Sequence, residues 1–202
     1  MGTHLCYICL PSLVRSEVLI IMGNKIKKRP ARYIAQGAII AAVYAVMTIM
    51  QNLLVPGSAS MAVQFRISEV ITIFALFTPA AVPGLTSGCI IANISSVPAL
   101  GPFDMIFGSL ASLCAALAMR ALRKIRLFKL PVLSALMPAV MNGIIVGFEI
   151  DFFFVNSFYF DFTDFLIQGG LVAAGELAVL FVLGLPLYYV IERNISKRGI
   201  KL

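Results

Sequence analysis

The sequence has no tryptophan and a single histidine, His4, near its start. Without Trp, any aromatic belt at a membrane interface must be built from Tyr and Phe. Without a second histidine, a Ser–His or Cys–His pair has no base in the body of the chain. HExxH, GxSxG and GxxxxGK[ST] are also missing, so the motifs that mark zinc proteases, serine hydrolases and ATP sites give no support for an enzyme. Charge is scarce too. Charged residues make up 12% of the 202, against roughly 25% in soluble domains. With 60% hydrophobic residues and a mean hydropathy of +0.98, this composition describes an all-α integral membrane protein, whose backbone polar groups are satisfied within helices.

The four cysteines do not form a framework. Cys6 and Cys9 make a CxxC, but no second pair exists to complete a zinc site. Cys89 and Cys114 lie in apolar stretches and read as small packing residues. No metal or cofactor is expected. The net charge of +7 raises the question of nucleic acid, which requires a basic face on a folded surface. Here the bases sit in short clusters beside apolar runs, so they read as membrane anchors and topology signals.

Six apolar segments are legible, at about 33–55, 67–77, 82–97, 103–122, 130–153 and 162–191. The second and third are shorter than the roughly 20 residues a spanning helix needs. They are separated by TPAAVPG, whose prolines 79 and 83 rule out one straight helix. The pair reads as two short spans or as a hairpin that dips in and returns. Of the 16 Lys and Arg, all but Arg66 fall in three clusters, at 15–32, 120–129 and 193–201. Six spans place all three on one side, which the positive-inside rule makes cytoplasmic. The expected architecture is therefore a compact six-transmembrane-helix bundle over residues 31–193, with both termini cytoplasmic. A tail over 1–30 precedes it and a basic tail over 194–202 follows. Residues 1–21 look unlike a signal peptide, and Met22 opens MGNKIKKRPARYIAQG. The first 21 residues are therefore expected to be disordered or untranslated.

Polar residues at membrane depth are a functional signal by default. Gln64, Phe65, Arg66 and Glu69 open the second segment in QFRISE. Asn93 lies near the outer end of the third and Asp104 opens the fourth. Asn142 and Glu149 share one face of the fifth, and Glu176 lies well inside the sixth. All fall in the outer half or near the midplane, which describes a polar pocket open to the outside over an apolar floor. Arg66 is within reach of Glu69 and is a candidate ion-pair partner for Glu69 or Asp104. Asp104 also stands where a helix cap is expected, Asn93 could be interhelical glue, and Asp151, Asp161 and Asp164 read as solvated loop charges. On the first segment Gly37, Ala41 and Ala45 recur every four residues, with Ala38 and Ala42 beside them. Such a stripe admits close approach of a helix, from this chain or from a partner.

QFRISE, TPAAVPG, GCIIAN, GPFDMIFGSLAS, PAVMNGIIVGFEI and GELAVLFVLGLPL together resemble the QueT family over about 32–192. These are substrate-binding S components of energy-coupling factor (ECF) transporters for queuosine precursors. The resemblance implies a six-helix protein of the bacterial cell membrane that docks on a transmembrane T component coupled to two ATPases. It implies that the small-residue stripe makes that contact and that the first outer loop, about 56–63, is a lid. The implied ligands are the 7-deazapurines preQ0, preQ1 and queuine. Glu149 and Glu176 would supply carboxylates, Asn142, Asn93, Gln64, Arg66 and Glu69 the remaining polar contacts, and Phe65 and Phe103 stacking faces. The competing reading is a stand-alone proton-coupled transporter of a small polar heterocycle, with Glu149 or Glu176 as the proton site. The charge pattern makes a direct prediction about topology. Reporter fusions after Arg126 and after Leu202 should both report a cytoplasmic position, and one after Gly101 an external one; opposite sides for the first two would exclude an even number of spans between them.

Overall fold

The computed structural model describes residues 30–55, 65–95, 97, 101–126, 130–156 and 158–197. Gln64, the loop at 56–63 and the expected disorder at 1–21 lie outside the described residues. Every regular element among them is a helix. α1 is Pro30–Leu54. A 3-10 segment, Ile67–Ile73, runs directly into the single turn of α2, Phe74–Phe77. α3 is Ala81–Ile94, α4 Phe103–Leu122 and α5 Val132–Glu149. α5 continues through a π-helical stretch, Ile150–Val155. α6, Phe162–Val179, passes through a second π-helical stretch, Leu180–Gly184, into α7, Leu185–Lys197.

Four of these paths are long and apolar enough to cross a membrane: Pro30–Leu54, Phe103–Leu122, Val132–Val155 and Phe162–Ile195. Ile67–Phe77 and Ala81–Ile94 are apolar but shorter, as their sequence suggests. At about 2.0 Å per 3-10 residue and 1.5 Å per α residue they cover about 20 and 21 Å of a hydrocarbon core roughly 30 Å thick. The break between them has a local cause. Thr78 is extended at φ −133°, ψ 137°, the conformation forced on a residue that precedes proline. Its hydroxyl accepts from the Ala80 N–H at 3.3 Å and donates to Gln36 Oε1 of α1 at 3.2 Å, which ties the break to α1. Pro83 falls in the first turn of α3, where its missing donor is harmless.

In lipid, helices gain little from apolar burial against one another, so tight association depends on close backbone approach. Two helix pairs achieve it through glycine. A Cβ on Gly84 of α3 would stand 2.7 Å from the Gly37 carbonyl oxygen of α1, and one on Gly88 would stand 2.8 Å from that of Ala41. Between α5 and α6, a Cβ on Gly147 would lie 2.6 Å from Gly169 Cα. The small-residue stripe of α1 is therefore split. Ala41 and Ala45 are buried and Gly37 is half-buried, with Gly37 and Ala41 set against α3, whereas Ala38 and Ala42 are exposed.

The basic end of the bundle is tied across elements. Arg120 of α4 donates to the Ala75 carbonyl at 3.2 Å, and the Tyr33 hydroxyl of α1 donates to the Pro79 carbonyl at 3.4 Å. Arg126 pairs with Glu192 of α7 at 2.5 Å. The beginning of α1, the end of α4 and α7 thus share one end. Above it lies a core of Ile40, Ile71, Ile73, Leu76, Leu85, Met119 and Tyr188. The glycine contacts carry a prediction. Gly84→Ala and Gly88→Ala should each lower stability by about 1–3 kcal/mol through overpacking against backbone, seen as earlier thermal unfolding in detergent. Ala42→Gly, on the exposed side of α1, should move the midpoint by no more than about the 1 kcal/mol of lost helix propensity.

Candidate functional site

The 3-10 segment is buried from Ser68 to Ile73, so its polar groups need partners inside the protein. α1 provides them from one face, at Tyr44, Thr48 and Gln51, each about one turn from the next. The Gln51 side chain brackets the start of the segment, donating to the Phe65 carbonyl and accepting from the Ile67 N–H at 2.9 Å. Thr48 Oγ1 donates to Ser68 Oγ at 2.7 Å, and the Tyr44 hydroxyl donates to Glu69 Oε1 at 2.5 Å. Three successive contacts fix which way Glu69 points.

Arg66, just before this segment, is 1% exposed. Its Nη2 lies 3.2 Å from Asp104 Oδ1 at the start of α4. Asn93 of α3 donates to the Asp104 carbonyl at 2.9 Å. Gly108, one turn further along α4, leaves the space these groups occupy: a Cβ there would sit 2.8 Å from Asn93 Nδ2 and 3.6 Å from Arg66 Nη1. Arg66 therefore pairs with Asp104, while Glu69, three residues on, is held by Tyr44. Asp104 lies in the first turn of α4, whose N-cap residue is Pro102. Asn93 does join α3 to α4.

A second polar group comes from α5 and α6. Asn142 Nδ2 donates to Glu176 Oε1 at 2.6 Å. Glu149, two turns along α5 from Asn142, is 1% exposed and neither of its oxygens has a hydrogen-bond partner. Glu176 is within electrostatic reach of Glu69 and Arg66, and Glu149 of Asp104 and Arg66. The two groups are thus electrostatically coupled through Arg66.

The sequence predicts a pocket open to the outside, but these side chains are buried, from 0 to 4% exposed. An aromatic cluster joins α4 to the end of α5. Phe103 stacks on Phe153 at 4.1 Å, and Phe107, Phe148 and Phe152 extend the cluster. Phe103 is thus engaged with Phe153, and Phe65 is 47% exposed. Asp151 corrects another expectation. It is fully buried, and its carboxylate accepts from Asn156 Nδ2 at 2.6 Å and from the Asp161 N–H at 3.2 Å. Asp161 in turn caps α6, accepting from the Thr163 and Asp164 N–H groups. The tyrosine, threonine and glutamine of α1 were missed in the sequence, although three polar residues on one face of an apolar helix were there to be seen.

An apolar helical scaffold around an occluded set of carboxylates, amides and one guanidinium defines a membrane protein with an internal polar site. A family model described as QueT transporter matches residues 34–193, a range that encloses every residue of that site. The chain belongs to the QueT transporter family, a family of transporters rather than enzymes. Neither a curated protein nor a solved structure matches it.

The Tyr44–Glu69 contact can be tested directly. Tyr44→Phe removes the only donor seen on the Glu69 carboxylate and leaves both oxygens buried without a partner. It should lower stability by about 1–3 kcal/mol in unfolding followed in detergent. Tyr159→Phe, at an exposed tyrosine, should change it by less than about 0.5 kcal/mol.

Proposed function

We propose that the protein is the substrate-binding S component of an ECF importer and takes up a 7-deazapurine queuosine precursor from outside the cell. The observation that supports this best is the Asn142–Glu176 pair. Glu176 Oε1 holds the amide N–H, while Glu176 Oε2 and Asn142 Oδ1 remain buried and unpartnered. Two neighbouring acceptors match the adjacent N–H donors on the edge of a guanine-like ring, which a carboxylate and an amide oxygen can bind together. The carbonyl oxygen beside that edge is an acceptor, and the Arg66 guanidinium is the cationic donor of the buried set.

The exposed side of α1 fits the partner half of the reading. Ala38 and Ala42 lie outward beside Ile39, Val43 and Val46. This is a small-residue stripe in an apolar face, the kind of surface on which a T-component helix packs closely. The two ATPases would then drive transport, since the chain has no ATP motif of its own. A proton-coupled transporter working alone remains the second reading, because Glu149 is a buried carboxylate with no partner.

Uptake by whole cells separates the two. On the S-component reading, accumulation of a labelled 7-deazaguanine requires the T component and ATPases, stops on ATP depletion and survives loss of the proton gradient at constant ATP. The reverse pattern supports the lone transporter. On the purified chain, Asn142→Ala and Glu176→Gln should each weaken 7-deazaguanine binding by about 10- to 100-fold, as expected when a buried donor edge loses its acceptor. Unchanged affinity in both removes the pair from the site.

A further inference from the structure

Buried acceptors at the site exceed the donors set against them. Glu69 Oε2, Asn142 Oδ1, Glu176 Oε2 and both oxygens of Glu149 have no hydrogen-bond partner. Four buried carboxylates, Glu69, Asp104, Glu149 and Glu176, gather around one guanidinium, Arg66, which is bonded to Asp104. Unmatched acceptors are costly in an apolar interior, and unmatched carboxylates are the costliest of them. A ligand that completes this site therefore brings several donors and positive charge.

The three carboxylates other than Asp104 are not equivalent. Glu69 is oriented by the Tyr44 hydroxyl and Glu176 by the Asn142 amide, each through Oε1. Glu149 has both oxygens open, and it stands at the end of α5 beside the Phe148–Phe152 stack. An ammonium group has three donors and no acceptor, which suits a carboxylate with two open oxygens. A metal ion fits less well, because no group of three or more His, Cys, Asp or Glu among the described residues is placed to hold one.

We propose that the site selects a cation: Glu149 is the counter-ion of a protonated amine carried by the heterocycle, and the Asn142–Glu176 pair reads the ring's donor edge. This rests on the 7-deazapurine reading above and adds a specificity-determining residue to it. It separates ligands that share one ring. A 7-aminomethyl substituent brings the charge and the donors that Glu149 lacks, whereas a 7-cyano substituent brings only an acceptor, which faces a carboxylate unfavourably.

The test is calorimetric titration of the purified full chain in nanodiscs with 7-aminomethyl-7-deazaguanine, 7-cyano-7-deazaguanine and guanine. The amine is expected to bind on the order of 100-fold tighter than the nitrile, the range for a buried charge pair against its absence. Glu149→Gln is expected to bring the amine to within a few-fold of the nitrile while leaving the nitrile's affinity unchanged. Equal affinity of wild-type protein for amine and nitrile overturns cation selection and leaves the deazapurine reading standing. Loss of discrimination in Glu176→Gln but not in Glu149→Gln overturns the assignment to Glu149. Failure of folded wild-type protein to bind any of the three overturns the deazapurine reading itself. The wild-type comparison decides cation selection even if Glu149→Gln does not fold.

Discussion

The Arg66–Asp104 pair is the constraint around which the site is arranged. Both side chains are almost wholly buried, at 2% and 5% side-chain exposure. An isolated guanidinium in such surroundings would carry a heavy desolvation penalty, and its partner repays that penalty only with good geometry and further hydrogen bonds. Asn93 helps by holding the Asp104 backbone, and Gly108 by leaving out a side chain. A buried ion pair of this kind is weak evidence for stability, since apolar residues of similar volume often serve as well or better. Its value here lies in position. It joins the residue that starts the 3-10 segment to the start of α4, and it sets a fixed positive charge beside Glu149 and Glu176.

The glycine contacts and the polar groups depend on each other. Gly143 and Gly147 lie between Asn142 and Glu149 along α5, and both press on Gly169 of α6. That close approach brings Asn142 within 2.6 Å of Glu176; larger residues would separate the helices and break the amide–carboxylate bond. The same logic holds across the bundle. Gly88 packs on Ala41 and on Tyr44 Cβ, which seats the tyrosine that orients Glu69. Small residues thus locate polar ones, and polar contacts fix how the close-packed helices are turned.

Much of this was legible in the sequence. The break between the two short helices follows from Pro79, and the buried depth of Glu149 and Glu176 follows from apolar flanks with no basic neighbour. Arg66 stood out as the one base away from the clusters. Spacing on a single helix could not reveal the partners. Arg66 reaches 38 residues along the chain to Asp104, and Tyr44 reaches 25 to Glu69. Those choices depend on which helices meet, and that in turn depends on glycines whose role appears only in three dimensions. The small-residue stripe on α1 shows the same limit. Its period was readable, but the division into an inward row at Ala41 and Ala45 and an outward row at Ala38 and Ala42 depends on where α3 lies.

Irregular backbone adjoins the polar site on the α5 side. α5 turns π-helical at the residue after Glu149, and π turns inside α-helices are a frequent companion of functional sites. Beyond that turn, Phe158 has φ 73°, an uncommon conformation for a bulky side chain. It is held by its N–H bond to the Phe152 carbonyl at 2.7 Å and by edge contacts to the Phe152 and Phe153 rings. Phe153 is also the ring that stacks on Phe103. The strained residue, the widened turn and the aromatic cluster therefore form one connected unit that starts at the residue after Glu149. Irregular backbone also occurs elsewhere in the bundle, in the buried 3-10 segment that carries Glu69 and in the π turn before Pro186, where a proline explains it.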